Sequence, residues 1–294
     1  MRSASWRVLN SETKTKMEDK LIRYLGAEEE YIVKVAVTTK IVAHAQRIGN
    51  YGESAITYLG SLLTAALLME DSVKGSKETL TLELKGNGPL NKVVAIANSK
   101  GNVKGYAAKP ASIGGIGNGY LGVTKDQGLK TPYHTTMPLV VDDVENNLMY
   151  YYAGSEQLPT FFSLGVALNN EKEVAYSYGY MVQALPFAKK EIMEKIASNL
   201  EQGPGKEEIL ANKLSPEEIA AHLLKGLSQI KTEEKEVCFR CNCSKKKGLT
   251  TLKKAGKAEL EAMIKEGKPV EVVCGSCLKK YEYSIEEIKA LLNA

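Results

Sequence analysis

A length of 294 residues suggests roughly two domains, and a composition 44% hydrophobic and 25% charged is ordinary for a chain that buries a globular core. The net charge of +4 is too mild to require a nucleic-acid partner. No stretch approaches the ~20 apolar residues of a membrane-spanning helix, and the N-terminus lacks the apolar run of a signal peptide.

Residues 1–16 are mostly polar, with Arg, Lys, Ser and Thr and one weak apolar pair at Val8-Leu9, and Met17-Glu18-Asp19-Lys20 resembles a second start. This stretch reads as a leader or tag, a weak transit-like segment or a disordered tail. Tyr31 to Thr38 is β-branched and partly alternating, which predicts a strand. Glu53 to Glu70 carries the periodicity of a mostly buried helix. Strands are expected at Thr79–Leu84, Lys92–Ala97, Val103–Ala107, Gly119–Thr124 and Thr135–Val141, separated by glycine-rich turns. Val144 to Ala153 predicts a helix, and Phe162–Leu168 with Val174–Met181 a hairpin around Asn169-Asn170-Glu171. Pro186 is expected to open a helix through Leu200, with Ile192, Ile196 and Leu200 on one stripe.

Gln202-Gly-Pro-Gly205 breaks this pattern and marks a first boundary. Ser215-Pro216-Glu217-Glu218 is a capping box with proline at the first helical position. It starts a helix with Ile219, Leu223 and Leu227 on one face, and an amphipathic segment of this kind must pack on something. The charged run Thr232 to Glu236 marks a second boundary, and a further capping box, Ser284-Ile285-Glu286-Glu287, opens a last helix through Leu292. The expected organisation is α+β: a strand-rich, mixed-sheet core with packed helices over residues 17–202, a helical linker over 203–231 and a small C-terminal domain over 232–294.

Gly117-Asn118-Gly119-Tyr120-Leu121-Gly122 matches the spacing of a dinucleotide loop. Such a loop needs a following helix whose N-terminus meets the phosphate, and a strand is expected here, so it reads as a β connection. His44, His134 and His222 lie far apart, without the spacing of a zinc or triad pair. Ser155-Glu156-Gln157 reads as a turn or cap.

The five cysteines all fall in the last sixty residues, as Cys238-Phe239-Arg240-Cys241-Asn242-Cys243, a gap of thirty, then Cys274-Gly275-Ser276-Cys277. Their absence from the body fits a reducing compartment, where thiols bind metal and do not staple a fold. A Cys-x-Cys and a distant Cys-x-x-Cys read as a four-thiolate zinc site made by Cys241, Cys243, Cys274 and Cys277. Cys238 is a fifth, competing candidate. Both pairs could also close on themselves as local disulfides. The same four sulfurs hold a metal or store two disulfides, not both, and spacing alone favours a permanent zinc knuckle. From Cys238 to Tyr281 eleven Lys and Arg stand against four Glu, a local charge of +7. Lys245, Lys246, Lys247, Lys279 and Lys280 flank the sulfurs and should favour thiolates, which are also targets for oxidants. The basic run opens an alternative, a zinc-ribbon nucleic-acid binder, although it holds few aromatics for stacking on bases. A thiol oxidoreductase is a third class.

Cys241-Asn-Cys243-Ser244 and Cys274-Gly-Ser-Cys277, followed by Tyr281-Glu-Tyr283, resemble the zinc switch of the thirty-three-kilodalton heat-shock chaperones, a family of redox-regulated holdases. Gly119-Tyr-Leu-Gly-Val-Thr-Lys125, Gly128-Leu-Lys-Thr-Pro-Tyr133 and Tyr151-Tyr-Ala-Gly-Ser-Glu-Gln157 with Leu-Pro-Thr160 resemble the family's core signatures. The likeness runs from about Met17 to the C-terminus. Cys238 departs from the pattern and creates an alternative Cys-x-x-Cys with Cys241. The resemblance implies a cytoplasmic chaperone and no enzyme. It implies one zinc held by Cys241, Cys243, Cys274 and Cys277 in the reduced, inactive state. It implies disulfides Cys241–Cys243 and Cys274–Cys277 on oxidation, with loss of zinc and unfolding of switch and linker. Unfolding client proteins would then be captured without nucleotide, and oxidised chains would form homodimers, with no nucleic-acid or membrane partner.

Overall fold

A computed structural model describes residues 18–73, 75, 78–186 and 188–292, and the expected leader or tag at 1–16 lies outside them. In chain order the first elements are β1 (Lys20–Gly26), β2 (Tyr31–Val37), α1 (Thr39–Gly49) and α2 (Glu53–Leu68). Next come β3 (Thr79–Gly86), β4 (Lys92–Ala97), β5 (Asn102–Ala107), β6 (Gly119–Asp126) and β7 (Tyr133–Pro138). α3 (Val144–Tyr151), β8 (Thr160–Leu168) and β9 (Val174–Ala184) follow, then α4 (Lys190–Gln202), α5 (Lys206–Asn212) and α6 (Pro216–Leu223). β10 (Gln229–Glu236) and β11 (Cys238–Phe239) lead into α7 (Lys245–Ala255), α8 (Lys257–Glu266), β12 (Val270–Val273), β13 (Lys280–Tyr283) and α9 (Ile285–Leu292).

The architecture is α+β, as expected, but built on two large sheets, with a two-stranded third, β12-β13, in the cysteine module. One has the order β10-β1-β2-β9-β8 and is antiparallel throughout. The other has the order β11-β5-β4-β3-β6-β7, and its mixed character comes from β11, which runs parallel to β5. α2 packs on both sheets and is buried from Ala55 to Leu68 except at Thr57 and Tyr58. A helix apolar nearly all round belongs in such an interior. It stops at Leu68, short of the expected Glu70, and a 3-10 turn carries Glu70–Ser72.

Period-2 alternation buries β2 and β9 on both faces. Tyr31, Val33, Val35 and Val37 share one face with Tyr176, Tyr178, Tyr180 and Val182. Ala36 and Met181 point the other way, into the α1–α2 core. The three β9 tyrosines stack along the sheet with centroid separations of 6.0 and 6.3 Å. α4, α5 and α6 cover this aromatic face through Ile196, Ile209, Ile219, Ala220, Leu223 and Leu224. The linker face expected to need a partner therefore lies on the core sheet. The capping box of Ser215 and Glu218 forms in both directions. Leu227 lies beyond the end of α6 yet packs into the same cluster.

Several elements differ from the expectation. β1, α1 and α5 are additional, as are α7, α8 and β11–β13 in the cysteine module. The helix expected from Pro186 begins at Lys190, because Leu185 N–H bonds the Glu30 carbonyl at 2.9 Å and Ala188 N–H closes a turn onto Leu185 at 3.0 Å. The charged run Thr232–Glu236, read as a boundary, lies inside β10, which pairs with β1 in the register Lys20 opposite Glu236. Charged side chains suit an edge strand that water reaches. Gly119–Asp126 is strand and no helix follows it, so the glycine-rich segment is a β connection as read. Residues 152–156 form a π-turn capped by Gln157 at φ 56°. Glu156 accepts from Lys125 Nζ at 2.7 Å and from the Tyr151 hydroxyl, fastening the end of α3 to β6. Among the described residues, no helix is long and apolar enough to cross a membrane.

Candidate metal centre

Two loops bring four cysteines together. Cys241 and Cys243 lie between β11 and α7, where Ser244 caps α7 by accepting from Lys247 N–H at 3.2 Å. Cys274 and Cys277 lie in the turn joining β12 to β13. That turn is closed by Cys274 N–H on the Lys279 carbonyl and Leu278 N–H on the Cys274 carbonyl, both at 2.9 Å, with Leu278 left-handed at φ 54°. Gly248 lets α7 settle on this hairpin, since a Cβ there would stand 1.9 Å from the Tyr283 hydroxyl. Tyr283 is buried with Leu252, Leu260 and Ile288, and these four form the small apolar centre of the module.

The four sulfurs lie within 4.8 Å of one another. Cys241 and Cys274 are 3.7 Å apart and Cys243 and Cys277 3.3 Å. A tetrahedral four-thiolate zinc with Zn–S of ~2.3 Å has sulfur–sulfur edges of ~3.8 Å, so this donor set fits a single metal ion. The Tyr281 hydroxyl donates to Cys243 Sγ at 3.2 Å. Burial would raise the Cys274 thiol, but the backbone N–H groups of Ser276 and Cys277 and the thiols of Cys277 and Cys241 bring it down to about 7. Burial pushes Cys241 up, against the Cys243 N–H and the positive charge of Lys104. Burial and proton sharing with the other three thiols push Cys277 up.

Cys238 stands outside the cluster. It is exposed, sits on β11 opposite Asn102, and its Sγ is 3.2 Å from Asn102 Oδ1. The histidines do not join the sulfurs: His44 packs on Phe239 at 5.0 Å and His134 Nδ1 meets Thr124 Oγ1 at 2.7 Å. Two of the five flanking lysines are occupied by carboxylates, Lys245 by Glu287 at 2.7 Å and Lys280 by Glu271 at 2.9 Å. Lys247 donates to the Asn242 carbonyl at 2.9 Å. Lys104, on β5, reaches the cleft from the core, and the linear spacing of the module gave no sign of it. A second group of close acidic oxygens, Glu70, Asp71 and Glu233, is already met by Lys34, Arg23 and Lys235 and forms an ion network.

The family model described as Hsp33 protein matches residues 19–284. The chain belongs to the Hsp33 family. It is 36% identical over 290 residues to the 33 kDa chaperonin of Clostridioides difficile, covering 94% of this chain and 99% of that protein. It is 34% identical over 289 residues to the 33 kDa chaperonin of Lachnoclostridium phytofermentans, with the same coverage of 94% and 99%. The crystal structure of the 33 kDa chaperonin, a heat shock protein 33 homolog, from Thermotoga maritima superposes with a TM-score of 0.87 at 30% identity, covering 94% of this chain and 98% of that one. Membership in Hsp33 supports a chaperone function here, and the four clustered cysteines are compatible with zinc binding and redox disulfides.

Proposed function

We propose that this chain is a redox-regulated, ATP-independent holdase of the cytoplasm whose switch is the sulfur cluster. On this reading residues 17–202 are the client-binding core, 203–231 the linker and 232–294 the switch, with β10 lent to the core sheet. Zinc, when bound by Cys241, Cys243, Cys274 and Cys277, holds the four sulfurs as thiolates and ties the two loops together. Structural zinc sites contribute on the order of 10–16 kcal/mol of apparent folding free energy. A module whose apolar centre is Leu252, Leu260, Tyr283 and Ile288 depends on that contribution.

Each pair of thiolates can surrender two electrons to one peroxide, which leaves as two hydroxides while an S–S bond forms. Cys241–Cys243 and Cys274–Cys277 are the expected bonds. Once paired, the sulfurs offer no thiolate to a metal, and the module loses its tie. Glu234 and Glu236 of β10 border the start of α6 beside Pro216 and Glu217, so a module that unfolds and draws β10 away would loosen α6, and the aromatic face of β2 and β9 becomes available to unfolding proteins and to a second oxidised copy. No enzymatic step, nucleic acid or membrane enters this account.

The observation that carries the reading is the meeting of four oxidisable thiols in one cluster on a chain whose linker helices seal a tyrosine-rich sheet face. The test measures zinc content and suppression of aggregation together, before and after peroxide at raised temperature. Zinc at one per chain with weak suppression should give way to zinc loss with strong suppression. Equal suppression in both states would reduce the cluster to a permanent structural knuckle.

A further inference from the structure

We infer that Lys104, on core strand β5, is the charge contact that holds the cysteine module against the core while its sulfurs are thiolates and releases it when they become disulfides. This rests on the metal reading above and adds to it the core residue that reads the state of the centre.

Strand register puts Lys104 in place. Cys238 lies opposite Asn102 and Phe239 opposite Val103 in a parallel pair. Cys238 N–H bonds the Gly101 carbonyl at 3.0 Å, and Arg240 N–H bonds the Val103 carbonyl at 2.9 Å. The next core residue, Lys104, therefore stands beside the chain as it enters Cys241. Lys104 lines a cleft of about 270 Å³ together with Cys241, Cys243, Cys274 and Lys247. Lys245 and Lys280 are neutralised by Glu287 and Glu271, whereas Lys104 forms no ion pair among the described residues. Its side chain lines the cleft of the sulfurs from the core side.

Charge bookkeeping then gives the contact a direction. Four thiolates around one divalent ion keep two negative charges, which attract a half-buried ammonium. Oxidation by two peroxides converts the four thiolates into two neutral disulfides and four hydroxides. The two negative charges have gone, which takes the window from Cys238 to Tyr281 from +5 to +7, and Lys104 is left lining the cleft with Lys247. Attraction at this contact becomes repulsion. What stands against that change is the two-residue pairing of β11 with β5 and the packing of Phe239 on His44 at 5.0 Å.

The experiment uses the full chain, reduced and zinc-loaded, as wild type, Lys104→Met, Lys104→Glu and Lys104→Arg. Two rates are read: zinc transfer to a chelating dye, and amide exchange over residues 101–104 and 238–241. At low salt Lys104→Met should speed both by about tenfold and Lys104→Glu by more, while Lys104→Arg stays within about twofold of wild type. Raising salt to about 1 M should bring wild type towards Lys104→Met and leave Lys104→Met unchanged, because the Debye length falls to ~3 Å. After peroxide all four should exchange alike. Lys104→Met at the wild-type rate, or a wild type indifferent to salt, overturns the inference. If Lys104→Met fails to fold, the salt dependence of wild type and the rescue by Lys104→Arg still decide it. Wild type binding well below one zinc per chain would instead sink the metal reading.

Discussion

Lys235, on the strand that leads into the cysteine module, forms an ion pair with Glu70, buried in the 3-10 turn that follows α2. Glu70 is 1% exposed, and among the described residues its carboxylate oxygens have no other hydrogen-bond partner. Around them Lys34 meets Asp71 at 2.5 Å and donates to the Leu68 carbonyl at 2.8 Å, Arg23 meets Asp71 at 3.3 Å, and Lys235 also meets Glu233 at 3.0 Å. β10 is therefore fastened to the core by charge as well as by its pairing with β1.

Removing Lys235 should leave a buried carboxylate uncompensated. Breaking one partner of such a pair costs about 3–5 kcal/mol. Lys235→Met is expected to lower the unfolding free energy read from urea titration by that order and to speed amide exchange across residues 229–236, with β2 and β9 still protected. Unchanged exchange in 229–236 would mean that backbone pairing alone holds the strand.

The sulfur geometry separates Cys238 from the other four. Its thiol faces Asn102, and recruiting it to a metal would require β11 to leave β5. Cys238→Ser should retain one zinc per chain. Cys243→Ser should weaken zinc by more than the roughly 100-fold that losing an outer-shell partner brings. The reverse ranking in a metal-release titration would reassign the ligands.

Asp19 supplies a pH dependence. Its carboxylate accepts the N–H groups of Lys40 at 2.9 Å and Ile41 at 2.7 Å, capping α1 from the start of β1. Burial nevertheless raises its pKa from 3.8 to about 6, against those two bonds. The folded state then holds the proton that the unfolded state has lost between these values, so stability falls as pH rises from about 4 to 6. A shift of this size is worth roughly 3 kcal/mol. Wild type measured against Asp19→Asn should lose relative stability over that window and stay level above it. A flat difference from pH 4 to 7 would show that the two backbone bonds offset burial.

The same residue shows why part of the fold was hidden in the sequence. α1 follows β2 with only Thr38 between them, and its cap comes from Asp19, about twenty residues upstream, so no local start signal exists. β10 reads Gln-Ile-Lys-Thr-Glu-Glu-Lys-Glu, the composition of a solvated connector. Its partners on β1 and at Glu70 lie more than 160 residues away, and those contacts make it a strand. The sulfur cluster was legible because each half is local and thiolates at such spacing have few other uses. Lys104 was not, because it enters the site only through the pairing of β11 with β5. The linker stripe was legible as a face in need of burial, though its partner, the tyrosines of β9, was not.

That stripe carries the last prediction. Ile219 and Leu223 are buried at 1% and 6% exposure against the sheet face of β2 and β9. Asn199 Nδ2 ties α4 to the end of α6 by donating to the carbonyls of Leu223 and Lys225, both at 2.9 Å. Burying a leucine side chain is worth roughly 1.5–3 kcal/mol, and a carboxylate in its place would be desolvated without a partner. Leu223→Asp should therefore loosen α6 without touching the cysteines. The reduced protein is expected to keep one zinc, to exchange amides faster over residues 209–230, and to suppress client aggregation part of the way to the oxidised level. Higher reduced activity with 209–230 as protected as in wild type would place the client surface elsewhere. Loss of zinc in this variant would mean that linker and metal centre unfold as one unit, and the linker would then be part of the switch and not its cover.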